Sequence, residues 1–199
     1  MKKLTYKIEN REFAGDSKLI RILLLTGSPG VGKTTVLLKT VEALKAKGYS
    51  LGGMVSREVR SCGTRVGFEI LDLADNKTGW LAHVNQKTGP RIGRYHVNLE
   101  DLKNVGVKAI MEAVEKADVI VIDEIGPMEL CSEDFKDAVR RAVKSEKLMI
   151  CTVHRKTKDK LVEEVKTRMD SELFTVTYKN RSFLHSIITN KALSFLSKQ

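Results

Sequence analysis

The sequence predicts an α/β protein in three layers: a mostly parallel sheet, helices on both of its faces, and a β-hairpin insertion. Three observations predict it. Apolar runs at residues 20–26, 119–122 and 148–153 are too continuous for half-exposed strands, so each reads as a strand buried on both faces. Stretches with helical spacing alternate with these runs, the pattern of a parallel sheet with crossover helices. Between the first run and the first helical stretch stands Gly27-Ser28-Pro29-Gly30-Val31-Gly32-Lys33-Thr34, a full match to G-x-x-x-x-G-K-[ST]. It lies between strand and helix, where that phosphate-loop motif must lie.

The motif's chemistry explains its spacing. Gly30 and Gly32 let backbone N–H groups approach and surround a phosphate chain. The helix that starts near Gly32 adds its positive dipole end. Lys33 brings a point charge to the outer phosphates, and the Thr34 hydroxyl is a hard oxygen ligand for magnesium. Residues 27–35, from Gly27 to Thr35, are therefore the expected nucleotide-binding loop, with Lys33 also expected to act in catalysis.

The remaining elements follow in order. Residues 1–18 are polar and form an N-terminal extension, in which Tyr6, Ile8 and Phe13 suggest a short edge element; residues 19–199 read as a single P-loop domain. The first helix runs to about Lys47, where Gly48 is a stop signal. A hairpin is expected, with arms near 53–60 and 65–74 about a turn at Cys62-Gly63. Residues 75–90 read mostly as loop, with short strands at 80–84 and 92–97. Leu102, Val105, Ala109, Ile110, Ala113 and Val114 give residues 99–116 a helical period. Ser132 caps a helix whose buried stripe is Phe135, Ala138, Val139, Ala142 and Val143. A helix over 159–168, a strand over 173–177 and a closing helix over 181–196 complete the chain.

The second constellation is Val119-Ile120-Val121-Ile122-Asp123-Glu124-Ile125-Gly126. A buried strand delivers Asp123 to its carboxyl end, where ligands bind in open α/β sheets. There a carboxylate holds magnesium, directly or through water, so Thr34 and Asp123 are the expected metal pair. Successive strand side chains diverge, which sends Glu124 toward the γ-phosphate side to orient a water. Lys33 and Glu124 are thus the expected catalytic residues, and residues 119–126 join the nucleotide-binding set. Asp123-Glu124-Ile125-Gly126 also fits the D-x-x-G pattern of GTPases. The guanine-reading Asn-Lys-x-Asp is missing, however: Asn190-Lys191-Ala192-Leu193 lacks the acid.

Asp123-Glu124-Ile125-Gly126-Pro127-Met128-Glu129-Leu130 resembles the signature of a small nucleoside-triphosphatase family described from thermophiles, whose vertebrate member is the cancer-related nucleoside-triphosphatase. Gly63-Thr64-Arg65-Val66-Gly67-Phe68, Gly93-Arg94-Tyr95-His96-Val97 and Asn180-Arg181 look like further landmarks in the same order. The resemblance covers roughly residues 20–190. It implies a RecA-like core and Mg2+-dependent release of phosphate from ATP, GTP, CTP and UTP with little base preference. Where the family often has Lys after Glu-Ile-Gly, this chain has Pro127, which bears on the loop holding Glu124.

Other signals are weaker. His154 follows an apolar strand and is weighed as a γ-phosphate sensor or a surface histidine. Arg57, Arg65 and Arg181 are read as surface ion pairs before phosphate or base contacts, and Trp80 as a core residue before a base stacker. Cys62, Cys131 and Cys151 have no Cys-x-x-Cys spacing, so neither disulfides nor zinc are indicated. Cys151 reads as a small core residue. The net charge of +10 is spread along the chain without a dense basic block, so contact with nucleic acid is permitted but unsupported. No apolar run approaches the ~20 residues of a membrane span, and Met1-Lys2-Lys3 lacks the apolar core of a secretory signal. A cytoplasmic monomer acting on NTPs is expected. Two rivals remain open: a phosphotransferase whose acceptor pocket comes from residues 53–97, and a nucleotide-switched RNA- or protein-binding module.

Overall fold

The computed structural model describes residues 19–198; the expected edge element around Tyr6, Ile8 and Phe13 lies outside them. The first strand, β1 (Ile22–Thr26), shows why an unbroken apolar run makes a central strand. All five residues are buried. Ile22 and Leu24 enter the core on one face of the sheet, Leu23 and Leu25 the core on the other. Each leucine removed from water in this way stabilises the fold by about 1.5–3 kcal/mol.

The chain continues through α1 (Lys33–Lys45), β2 (Leu51–Ser61), β3 (Thr64–Asp72), β4 (Thr78–His83), β5 (Arg91–Ile92) and β6 (Tyr95–Val97). A helical stretch follows in three parts: α2 (Leu99–Asp101), a π-helical turn (Leu102–Val107) and α3 (Lys108–Lys116). Then come β7 (Val119–Ile125), a 3-10 turn (Glu129–Cys131), α4 (Glu133–Lys144), β8 (Leu148–Val153), α5 (Lys160–Thr167), β9 (Ser171–Thr175) and α6 (Leu184–Leu196). The strands form one sheet in the order β5-β6-β4-β3-β2-β7-β8-β1-β9. β2, β7, β8, β1 and β9 pair in parallel. This is the RecA-like, mostly parallel core that the resemblance implies. β3, β4, β6 and β5 extend it as antiparallel strands. The expected hairpin is β2 and β3, and the segment read mostly as loop continues the same sheet. Helices α1 and α6 cover one face, α3, α4 and α5 the other.

Local signals explain the helix ends. The Ser132 hydroxyl accepts the Phe135 N–H at 3.2 Å, and the Asp159 carboxylate accepts the Leu161 N–H at 2.8 Å. Each satisfies one of the orphan amides of a first turn. Helix α1 differs: its N-cap is Gly32, and no side chain caps it.

Three of the differences from expectation have a clear physical cause. The helix over 99–116 is interrupted by the π-helical turn. Gly106 sits there so close to the Met54 sulfur that a Cβ would come within 2.9 Å of it, a tertiary contact no periodicity can report. β9 spans Ser171–Thr175 and not 173–177, because it is an edge strand whose Leu173 is 46% exposed and gives no burial signal. The closing helix starts at Leu184, since Asn180 holds a turn ahead of it by accepting the Thr177 N–H at 2.8 Å. No helix among the described residues is long and apolar enough to cross a membrane.

Candidate active site

The carboxyl ends of β1 and β7 bring the two sequence motifs together. Gly30 and Gly32 have φ of +73° and +108°, a left-handed backbone that favours glycine. These conformations carry the chain from β1 over the end of the sheet and into α1. The uncapped first turn of α1 leaves its N–H groups to whatever occupies the loop, and an anion suits them.

Two consecutive residues of α1 meet two consecutive acids of β7. The Thr34 hydroxyl donates to Asp123 Oδ2 at 2.7 Å. Lys33 Nζ lies 3.4 Å from Glu124 Oε1. Strand alternation predicted that the acids diverge, Asp123 toward Thr34 and Glu124 toward the γ-phosphate side; in the structure they contact neighbouring residues of the phosphate loop. The pairing of β7 with β8 shifts register between Ile122 and Ile125, so regular alternation stops at these residues. Lys33 and Glu124 are close enough for an ion pair but not aligned for a hydrogen bond. Glu124 Oε1 is therefore buried without a hydrogen-bond partner among the described residues.

Asp123 is 1% exposed. Burial pushes its carboxyl up to about 6, which the hydroxyls of Thr152 and Thr34 only partly offset; the Glu124 charge raises it further, and the Lys33 charge lowers it. Thr152, on β8, donates to Asp123 Oδ1 at 2.6 Å. No role was expected for Thr152, although a hydroxyl inside the apolar run 148–153 was the available signal. Glu129 was quoted only as part of a signature. It is buried in the 3-10 turn after β7, and its carboxyl is pushed up to about 8, first by burial and then by the charges of Glu124 and Asp123. A Cβ built on Gly126 would lie 3.1 Å from Glu129 Oε2 and 3.5 Å from Glu124 Oε2, so the two acids converge on that glycine.

Lys33, Thr34 and the three acids Asp123, Glu124 and Glu129 line one cleft of about 390 Å³, with Thr152 behind Asp123. Of the expected nucleotide-binding residues, Pro29, Gly30, Lys33, Thr34, Asp123 and Glu124 line it. Val119, Ile120, Val121 and Ile122 do not. They are fully buried between the two cores and carry Asp123 to the end of the strand without facing the cleft. Ile125 is likewise buried, with its carbonyl accepting the His154 N–H at 3.2 Å; Thr35 is exposed on the first turn of α1.

His154 lines the cleft, while its Nδ1 is engaged by Thr157 Oγ1 at 3.1 Å. Arg57 pairs with Glu69, as favoured. Arg181 forms no ion pair among the described residues, against expectation. Its guanidinium reaches the Val31 carbonyl at 3.4 Å and stacks on Tyr178, beside the phosphate loop. Trp80 is 37% exposed and edge-on to His83, because its place on β4 faces outward. Cys151 is buried in the core, where burial raises its thiol far above the ordinary range and keeps it inert. Lys191, from the near-match to a guanine-reading motif, pairs with Glu172 at 2.8 Å, away from the cleft.

A family model described as NTPase matches residues 22–189. Over 176 residues the chain is 46% identical to nucleoside-triphosphatase THEP1 of Thermofilum pendens, covering 88% of this chain and 97% of that relative. The crystal structure of THEP1 from the hyperthermophile Aquifex aeolicus superposes with a TM-score of 0.75 at 31% identity, covering 84% of this chain and 96% of that one. The solution structure of a human cancer-related nucleoside triphosphatase does so with a TM-score of 0.75 at 35% identity, covering 87% and 98%.

Proposed function

The chain belongs to the NTPase family and is a nucleoside-triphosphatase, and from that premise we propose how its residues divide the work. The observation that carries the proposal is the double contact of Lys33 with Glu124 and Thr34 with Asp123. It brings the positive end of the phosphate loop to the acids that a hydrolase of phosphoric anhydrides needs.

The backbone N–H groups of residues 27–35, Pro29 excepted, and the Lys33 ammonium bind the β- and γ-phosphates. When a γ-phosphate arrives, Lys33 exchanges one anionic partner, Glu124, for another. Glu124 is then free to accept a proton from the water that attacks phosphorus. Its buried Oε1, with no hydrogen bond among the described residues, is the acceptor. Thr34 and Asp123 fit a magnesium ion. Both present hard oxygens, the Thr34 hydroxyl gives its proton to Asp123 and keeps its lone pairs free, and no cation fully balances the buried carboxylate. Bound there with the nucleotide, the ion supplies charge stabilisation for the phosphates. Thr152 fixes the second oxygen of Asp123 and so the carboxylate's orientation. Most of the rate comes from positioning and charge stabilisation.

Little base preference is part of the proposal. What supports it is that the best-formed contacts of the site lie at the phosphate loop, and that no guanine-reading motif is present. The test is phosphate release from ATP, GTP, CTP and UTP. Specificity constants within about tenfold of one another, about 1.4 kcal/mol, are expected; a thousandfold preference for one base would overturn this part. Lys33→Ala is expected to abolish turnover and weaken binding of a non-hydrolysable triphosphate analogue. Unchanged affinity and turnover in that variant would overturn the whole assignment.

A further inference from the structure

The cleft does not end at the γ-phosphate position. The cleft measures about 390 Å³, and its lining runs from Pro29 and Lys33 on the phosphate loop to Ile92 on β5. Its farther half is built from the antiparallel extension and carries groups that hydrolysis does not use. Phe68 on β3, Leu81 on β4 and Ile92 on β5 form an apolar wall, and Ser56, Glu58 and Arg65 bring polar groups to it.

The charges at this end do not cancel. Glu58 is held by both Arg60 and Arg65, one carboxylate against two guanidiniums. The Arg65 guanidinium carbon lies over the Phe68 ring, 5.4 Å from its centre. Its Nε is buried and has no hydrogen-bond partner among the described residues. An N–H left in that state carries a desolvation penalty, and a turn of the guanidinium, whose side chain is 41% exposed, would present it to an incoming acceptor. The pairing of a spare cationic donor with an apolar wall specifies a ligand with two parts.

We propose that this half of the cleft binds a small organic anion with an apolar body, its charged group on Arg65 and its body against Phe68, Leu81 and Ile92. It is a second site, continuous with the nucleotide site. Lys33 approaches Glu124 at the γ-phosphate end, so the ligand faces the side from which the attacking group enters. The orientation rests on the nucleotide reading above; the existence of the site does not. A bound anion there stands where water must approach, which gives the chain a means of coupling turnover to a second molecule.

The test uses the full chain with its phosphate loop saturated by a non-hydrolysable triphosphate analogue, so that no probe can lodge there. Phenyl phosphate and phenylacetate are the probes, followed by calorimetry and ligand-observed NMR. Acetate and benzyl alcohol serve as the anion without the body and the body without the charge. Saturable binding of both probes at millimolar concentration or below is expected, with both controls weaker by about tenfold or more. Arg65→Met removes the donor and Ile92→Trp fills the apolar half; each is expected to weaken probe binding by about tenfold or more. Binding of the triphosphate analogue reports that both variants are folded. Absence of saturable probe binding would overturn the proposal, as would binding that neither substitution weakens or that acetate matches. Because the readout is probe binding, failure of Glu124 as the proton acceptor would leave this result standing.

Discussion

Asp123 and Asp170 are buried to the same degree, each 1% exposed, at opposite ends of the parallel strands. Asp170 is surrounded by fixed cations. Arg21 Nε lies 2.9 Å from its Oδ2, and Arg168 donates to both oxygens at 2.8 and 3.0 Å. Burial alone would raise its carboxyl, but the Arg168 hydrogen bonds and the two guanidinium charges outweigh burial and hold it below the usual range. Asp123 receives two hydroxyl protons and no guanidinium, and burial pushes it up to about 6. One aspartate is neutralised within the chain and ties β1 to β9. The other keeps a charge whose balance must come from a ligand. A buried acid at the carboxyl edge without an arginine is thus a functional signal, and the same acid with two arginines is a structural one.

The largest expected effect breaks the structural side. Arg21 also donates to the Val143 carbonyl at 2.7 Å, so its loss removes a partner of Asp170 and a tie to α4 together. Arg21→Met is expected to lower stability by about 3–5 kcal/mol, the scale for breaking a buried pair from one side. Urea unfolding measures it. Affinity for a triphosphate analogue, measured well below the unfolding midpoint, should hold. A loss under about 1 kcal/mol would mean that Asp170 tolerates burial with Arg168 alone.

The next prediction extends the functional side to a third acid. Glu129 is raised in the folded state to about 8 from an ordinary glutamate value of 4.5. Between those values the folded chain binds more protons than the unfolded chain, so stability falls as pH rises through that window and levels off above it. Asp123 contributes in the same direction, but only up to about 6. In metal-free buffer, the parent should lose on the order of 3 kcal/mol more than Glu129→Gln between about pH 5 and pH 8. Parallel stability curves for the two proteins would show that Glu129 is not held protonated.

Much of this comparison could be read in the sequence, and what could not has a single cause. Gly27 to Thr34 and Asp123-Glu124 are local patterns, so chemistry alone assigns them. The apolar runs that carry them are equally local, and they predicted β1, β7 and β8. Thr152 could not be found, because its meaning comes from the register that sets β8 beside β7. Glu129 needed a 3-10 turn to fold it back toward Gly126. The second half of the cleft needed β4 and β5 to extend the sheet beyond the expected hairpin, where a loop with short strands was expected. Val119 to Ile122 show the converse case: they lie next to Asp123 in sequence but are buried in the sheet and do not line the cleft.

A smaller effect separates the two adjacent acids. Glu124→Gln keeps the shape of the side chain and loses its basicity. Single-turnover hydrolysis should slow by about 100-fold or more, with affinity for the magnesium–nucleotide complex retained. Hydrolysis at the parent rate would remove Glu124 from the proposal and turn attention to His154, which lines the same cleft.

The smallest effect is the sharpest test, because the two aspartates should respond with opposite signs. Asp170→Asn leaves Arg21 and Arg168 facing a neutral amide, and Arg21 is itself buried, so this variant should be less stable than the parent. Asp123→Asn removes a buried charge that only hydroxyls and one lysine offset. The Thr34 and Thr152 hydroxyls can still donate to the amide oxygen or accept from its N–H groups. In chelator at about pH 8, well above the value to which burial raises Asp123, this variant should match the parent or exceed it by about 1–2 kcal/mol. Added magnesium should reverse the ranking only when nucleotide is present, since Thr34 and Asp123 alone are too few ligands to hold the ion. The same variant should need more magnesium for half-maximal hydrolysis. Urea unfolding with chelator, and with magnesium plus a triphosphate analogue, decides the matter. If Asp123→Asn is destabilised in chelator as strongly as Asp170→Asn, then Asp123 is satisfied within the chain, and the distinction between a closed and an open carboxylate fails.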